Sequence, residues 1–507
     1  MKKRVWLEKI KRLVRENQFL LKPFLIMMVI YLVGMLSIIL VGVHFADDIA
    51  RTNYGYAGWN GFSRYLSTVL AYGLHTDGYL FNIAPLPQIL AVVILAAASI
   101  LLILVIAGKD VFKKPTSKWM WLLVAVVPLG LSPYMLECLA YQYDAPYMAL
   151  SVLFAILPIL FCQRSKVIYG LAILIGVMVI CTTYQAAIGI FPMIVIFVAM
   201  KNWSESNKLI KRGNLKWVAF SAVAFLMSLI LFQQFLMKPR DAYASNSLPE
   251  LPKLIPEFFE HLGQYLMLVL KDFKIWWLVL IVIIVMGFVT LFIIRSKRNK
   301  ILAGCMAMVG VVMLIVLAFA FYAVLEKPLY ATRAMYPLGA AIAILAVYVV
   351  AGKGGGWLMK IPIGILVWGF LVFALTFGNA LKEQNDYRNM VIDMVISDLN
   401  ELSVMKKGGA KYIQVSGSIG FSPVILHMPR DYTILERLLM PSFSEYVPWM
   451  AYRLTNQTEF LNLVYDETAT KETDLPTLKE TVLYNIYGDG KNILVEFKGG
   501  RVFEVVF

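Results

Sequence analysis

Cysteine and histidine are scarce in this chain, and neither is arranged for catalysis or metal binding. The four cysteines, Cys138, Cys162, Cys181 and Cys305, share no metal-site spacing. All fall in or beside apolar runs, and none follows Cys305. A secreted portion without a disulfide fits a bacterial surface better than an endoplasmic reticulum lumen. The four histidines, His44, His75, His261 and His427, are scattered and read as polar groups at a membrane interface. The glycine-rich run from Gly352 to Gly356 lacks the spacing of a nucleotide-phosphate loop. No small-residue cleavage site follows the first apolar stretch, so a cleavable signal peptide is not expected. Charge is also missing from the centre of every long apolar run.

What the chain has instead is apolar length. It is 60% hydrophobic with a mean hydropathy of +0.71, far from a soluble composition. Eleven stretches predict membrane spans, at 24–43, 83–108, 119–136, 145–162, 167–182, 186–200, 217–236, 275–294, 301–324, 337–351 and 361–378. Segments 1–22, 109–118, 163–166, 201–216, 295–300 and 352–360 carry 25 Lys and Arg against four acids. That is +21 in a chain whose net charge is +15, so everything else sums to −6. The positive-inside rule therefore puts the N-terminus in the cytoplasm and, after eleven crossings, the C-terminus outside. The basic pI follows from this topology, and no nucleic-acid partner is implied. Residues 1–22 read as a basic amphipathic helix on the inner leaflet, in contact with membrane lipids.

The expected architecture is a polytopic α-helical membrane protein with a small C-terminal extracytoplasmic α/β domain. Residues 23–378 form the membrane domain, with an external loop at 44–82 and a long external loop at 238–274. Within these loops, Phe62 to Phe81 and Phe258 to Val269 predict amphipathic helices along the outer surface. Residues 379–507 form the external domain. Lys382 to Leu402 predicts an amphipathic helix, Lys411 to Ser416 a strand, and Thr481 to Phe507 a three-strand meander with turns at Gly488–Gly490 and Lys498–Gly500.

The external turns hold the chemistry. Asp47 and Asp48 follow the first span, with Arg51 three residues on. The next turn carries Tyr134, Glu137, Tyr141, Tyr143 and Asp144, and the one after it Tyr184 and Gln185. The turn past span nine reads Lys327, Tyr330 and Arg333. A lone tyrosine at a span edge belongs to the aromatic belt, and Lys327 reads equally well as an interface anchor. Four acids, two arginines and several tyrosines converging on one face point to an active site opening outward.

These motifs resemble the GT-C superfamily of multispanning glycosyltransferases, above all the Gtr-type glucosyltransferases of serotype-converting bacteriophages and their bacterial relatives. The text that carries the resemblance is Ala46-Asp47-Asp48-Ile49-Ala50-Arg51, the run Pro133, Tyr134, Glu137, Leu139, Tyr141, Tyr143, Asp144, and the pair Tyr184-Gln185. It extends from about residue 24 to 420. The resemblance implies a polyprenyl-phosphate hexose donor, with glucose favoured, and an acceptor hydroxyl on a surface polysaccharide or lipid-linked glycan. It places the enzyme in the bacterial cytoplasmic membrane.

The residue types suit that chemistry. One carboxylate takes the acceptor proton, and Asp47 is preferred over Asp48 because it stands first in the pair. Negative charge builds on the leaving phosphate, where a fixed arginine fits. Arg333 is the first candidate, Arg51 the second, with Lys327 alongside. Glu137, Tyr141, Tyr143, Asp144, Tyr184, Gln185 and Tyr330 are expected to line the substrate. The resemblance also allows a divalent cation, Mg2+ or Mn2+, beside Asp47 and Asp48, although the sequence offers acids without a clear ligand set. The rival reading is a transporter or flippase of a lipid-linked sugar, which the absence of mid-span charge disfavours. A non-catalytic scaffold would leave the acid pair without a role.

Overall fold

The computed structural model describes residues 18–205, 214–238, 247–352, 354, 356–402, 412–427, 433–439, 462–465, 475–489 and 492–499. The expected amphipathic helix at 1–22 lies almost wholly outside the described residues.

Long runs of Leu, Ile, Val and Ala can satisfy their backbone inside a bilayer only as helices. The membrane helices are α1 (Leu21–Val41), α4 (Leu86–Ala107), α9 (Lys166–Thr183), α10 (Ile190–Glu205), α11 (Asn214–Phe235), α13 (Ile275–Arg295), α14 (Lys300–Ala323), α16 (Pro337–Ala351) and α17 (Trp357–Glu401). Among the described residues, nine helices are long and apolar enough to cross a membrane, and two shorter apolar ones lie at Trp119–Leu131 and Ala145–Phe161. Together they match the eleven expected stretches. Proline shortens the two exceptions. Pro128 divides the first into α5 (Thr116–Val126) and α6 (Pro128–Leu131), because a ring inside a helix removes a donor and clashes with the preceding turn. Pro158 turns the end of α8 (Ala145–Ile156) into a 3₁₀ segment.

Short helices fill one end of the bundle, α2 (Asp47–Tyr54), α3 (Tyr65–His75), α7 (Met135–Ala140) and α15 (Thr332–Met335), together with the longer amphipathic α12 (Leu251–Asp272). The amphipathic helix expected from residue 258 starts earlier, at Leu251.

The largest departure from expectation is α17. A span ending at 378 and a separate helix from 382 fuse into one helix of 45 residues, Trp357–Glu401. The composition turns polar at Asn379, yet no helix breaker intervenes. Gly378 is held in the helix by close packing on α1, where a Cβ would lie 2.3 Å from Ser37 Oγ and 2.6 Å from the Ile38 nitrogen.

Beyond the bundle, a five-stranded sheet has the order β2-β1-β5-β4-β3. The strands are β1 (Tyr412–Ser418), β2 (Asn462–Tyr465), β3 (Thr477–Glu480), β4 (Tyr484–Gly488) and β5 (Asn492–Lys498). β1 lies parallel to β2 and β5, while β3, β4 and β5 run antiparallel. β4 and β5 are two strands of the expected meander; β3 precedes it, and the strand expected after Gly500 lies outside the described residues. Val391, Val395 and Leu399 of α17 pack on Ile413, Val415, Ile486 and Val495 of the sheet. Ile49 of α2 enters that same core, which ties the helix bearing the acid pair to the C-terminal layer. Two further short helices, α18 (Pro423–Leu426) and α19 (Thr433–Leu439), complete the described chain.

At the opposite, basic end of the bundle, cations cap helix termini. Arg295 donates to the carbonyls of Tyr348 (2.7 Å) and Val349 (3.2 Å). Arg298 donates to Trp203 O at 3.1 Å, and Lys300 to Ile293 O at 3.0 Å. These are the last-turn carbonyls that a helix leaves unpaired.

Candidate active site

The turn from α1 into α2 is sharp. Ala46 holds φ at 46° and ψ at −116°, a conformation that alanine rarely adopts and that recurs at functional sites. It sets Asp47 and Asp48 in the first turn of α2 but gives them opposite surroundings. Asp47 leaves its side chain 62% exposed, whereas that of Asp48 is fully buried. Backbone amides of Phe45, Gln142 and Tyr143 donate to the Asp48 carboxylate at 3.2, 2.7 and 3.3 Å. Asp48 thereby pins the 141–144 turn against α2.

Helical spacing brings Arg51 under both acids. Its Nη2 is 3.5 Å from Asp47 Oδ2 and its Nη1 4.0 Å from Asp48 Oδ1. The strongest contact is elsewhere, at 2.5 Å from Nη1 to Asp144 Oδ2. Trp59 donates its indole N–H to the other Asp144 oxygen, and its ring lies 4.6 Å from the Arg51 guanidinium carbon. Burial pushes the Asp48 carboxyl up to about 8, against the opposing pull of Arg51. Burial also raises Asp144, again against Arg51. One buried cation thus serves three carboxylates, and only Asp47 reaches the surface.

A second pair stands apart. Glu137 on α7 is buried, and its Oε1 accepts from Arg333 Nη1 at 2.6 Å. Its Oε2 accepts from the Thr332 hydroxyl and the Arg333 backbone N–H, so the carboxylate also anchors the start of α15. The Tyr184 hydroxyl donates to Arg333 O at 3.2 Å. Arg333 remains 19% exposed.

The third cation is Arg64, which immediately precedes α3. Its Nε donates to Gln185 Oε1 at 3.2 Å, and its guanidinium carbon sits 4.5 Å over the Tyr184 ring. Gln185 in turn donates to the carbonyls of Phe62 (3.0 Å) and Cys181 (2.8 Å).

A family described as Glucosyl transferase GtrII matches residues 36–350, well over half of the chain. The chain belongs to the GtrII glucosyl transferase family. The matched region contains every residue of the three clusters and stops short of the C-terminal sheet. A related protein of Salmonella phage P22, an uncharacterized 55.3 kDa protein in the gtrB 5′ region, is 25% identical over 195 residues. That alignment spans 38% of this chain and 38% of the phage protein. No solved structure matches the chain.

The expected GtrII site residues divide unevenly among these clusters. Asp47, Asp48, Arg51, Tyr143 and Asp144 come together, with the Tyr143 hydroxyl 3.2 Å from Thr52 Oγ1 and its ring stacked on His75. Glu137, Arg333 and Tyr184 form the second group, and Gln185 links it to Arg64. Tyr141 is buried edge-on against Phe45. Tyr330 packs on Tyr265 at 4.8 Å and offers its carbonyl to Arg437. Lys327 is exposed on the turn after α14. Arg51 is buried and committed to Asp144, which leaves it poorly placed for a phosphate.

The residues around Asp47 do not make a divalent-cation site. Asp48 is taken up by three amides, Arg51 stands between the acids, and among the described residues no three His, Cys, Asp or Glu side chains converge as ligands. Arg64 was not singled out from the sequence, where it falls at the start of the amphipathic stretch Phe62 to Phe81. Its scarcity value as a cation on the acidic side was the available signal.

Proposed function

We propose that the protein is an inverting hexosyltransferase of the bacterial cytoplasmic membrane, acting on its outer face. The donor is a polyprenyl-phosphate hexose, glucose by family, and the acceptor a hydroxyl of a surface glycan. Asp47 accepts the proton of that hydroxyl while the acceptor oxygen attacks the anomeric carbon. The bond from that carbon to the phosphate oxygen breaks, its electron pair leaves with the oxygen, and polyprenyl phosphate is released. Attack opposite the leaving group inverts the anomeric centre. Arg333, rigidly held by Glu137 yet partly exposed, faces the charge that develops on the phosphate.

The observation that carries this reading is the contrast between Asp47 and the other acids. A base must reach a substrate proton, and Asp47 alone in its cluster is exposed. Asp48, Asp144 and Glu137 are buried and bound to amides, Trp59 and arginines.

The test supplies purified protein with polyprenyl-phosphate glucose and a glycan acceptor and measures release of polyprenyl phosphate. Asp47→Asn should insert normally and lower turnover by about 10²- to 10⁴-fold. Near-normal turnover in that variant removes Asp47 from the mechanism. Movement of intact donor across the bilayer without phosphate release would replace the transferase reading with a flippase.

A further inference from the structure

Three arginines at the acidic end are neutralised by buried carboxylates: Arg51 by Asp144, Arg333 by Glu137 and Arg437 by Asp272. Arg64 differs. Among the described residues its partners are neutral, namely the Gln185 amide and the rings of Tyr184 and Phe62. A partly buried guanidinium without a counter-ion is costly unless an anion joins it. It lines a cavity of about 240 Å³. The walls are apolar, formed by Cys181 and Ile188 near the end of α9, Leu229 and Phe232 on α11, and Phe321 and Leu325 at the end of α14. Lys238 lines the same cavity, its backbone N–H held at 2.9 Å by Ser63 Oγ. The Tyr184 side chain whose ring lies under Arg64 also donates its hydroxyl to Arg333 O, so Arg64 stands beside the Glu137–Arg333 cluster. A largely apolar slot between membrane helices, lined also by a guanidinium that no carboxylate among the described residues contacts, suits a long hydrocarbon ending in phosphate.

We infer that Arg64 holds the donor phosphate and that the cavity between α9, α11 and α14 takes the first isoprenoid units of the polyprenyl chain. This rests on the proposed transferase reading and adds a binding residue to it. Arg64 is fixed in orientation by Gln185 and Tyr184, which leaves its terminal nitrogens to grip phosphate oxygens. Gln185 and Tyr184 are then positioning residues for Arg64.

The test uses the full chain in nanodiscs, with undecaprenyl phosphate as probe and phosphatidylglycerol as competitor. Arg64→Ala should weaken undecaprenyl phosphate binding, and raise donor KM, by at least about tenfold, with acceptor KM unchanged. Arg64→Lys should recover part of the loss. Leu229→Trp, which fills the slot and keeps Arg64, should weaken the same probe, so the inference stays testable if Arg64→Ala folds poorly. Asp47→Asn should bind the probe like wild type. Wild-type binding in both Arg64→Ala and Leu229→Trp overturns the inference while leaving the transferase reading intact. Equal displacement by phosphatidylglycerol also overturns it and makes the slot a seat for ordinary lipid. A wild-type chain that neither binds the probe nor releases it from donor overturns both.

Discussion

The two ends of the helical bundle use the same residue types in opposite ways. At the basic end, Arg295, Arg298 and Lys300 donate to main-chain carbonyls. These contacts seal helix termini, and any cation of suitable reach satisfies them. At the acidic end, Arg51, Arg333 and Arg437 meet buried carboxylates. Taking a charge pair out of water is costly, and helix sealing alone does not require it. The difference separates cations that serve the fold and the membrane from cations that shape a site.

The sharpest way to break the comparison is to ask which end faces out. Val482, 89% exposed in the turn between β3 and β4, should react as Val482→Cys with a membrane-impermeant maleimide on intact cells. Ser117→Cys, at the start of α5, should not, judged against the parent chain whose exposed thiol is Cys305. The contrast should be all-or-none. Labelling of Ser117→Cys alone would turn the acid cluster toward the cytoplasm, where nucleotide sugars are available.

A second comparison sets one arginine from each end side by side. Arg333→Ala should lower turnover at least about tenfold, close to 1.4 kcal/mol of barrier. Arg333→Lys should restore only part, because an ammonium cannot offer the donor phosphate a bidentate fork. Arg295→Ala should leave turnover within about twofold and lower the melting temperature, since about 1–3 kcal/mol follows from stranding buried acceptors. If lysine at 333 works as well as arginine, Arg333 is an anchor like Arg295 and the distinction between the ends weakens.

The smallest effect sharpens the contrast between Asp47 and Asp48. Burial raises Asp48 to about 8, while an aspartate in the unfolded chain titrates near 3.9. Between roughly pH 4 and pH 8 the folded protein therefore keeps a proton that the unfolded chain has released, so stability falls as pH rises through that window. The slope is at most about 1.4 kcal/mol per pH unit. Asp48→Asn should flatten it in thermal melts at several pH values. An unchanged slope would mean that Asp48 is ionised in the fold.

How far these features could be read in advance depends on what encodes them. Spans are local, so eleven apolar runs gave eleven apolar helical stretches. The breaks at Pro128 and Pro158 were visible in the chain, but uniform hydropathy hid their effect. The fusion of the last span with the helix beyond it was missed for the opposite reason: a change in polarity at Asn379 looked like a boundary, although nothing there stops a helix. The site divides in the same way. Acids and arginines on the turns at one end stood out by charge, and their grouping on one face could be argued. Asp47 and Asp48 are adjacent and identical, and only the 141–144 turn, brought from far along the chain, buries one of them. Arg64 could be noticed as a scarce cation, but not its partner: Gln185, which accepts from it, is 121 positions away.

The single helix from Trp357 to Glu401 has a mechanical consequence. At 1.5 Å per residue it measures about 67 Å, more than twice the roughly 30 Å hydrocarbon thickness, so one continuous helix is both long enough to cross the lipid and packed beneath the sheet. Bilayer thickness sets the tilt of such a rod. With some 34 Å projecting past residue 378, a change of about 10° in tilt sweeps the far tip by about 6 Å. Ile49 rides on the core built around that projecting part, one residue from the buried acid of the pair. The membrane span and the packing that holds Ile49 beside the acid pair thus belong to one helix.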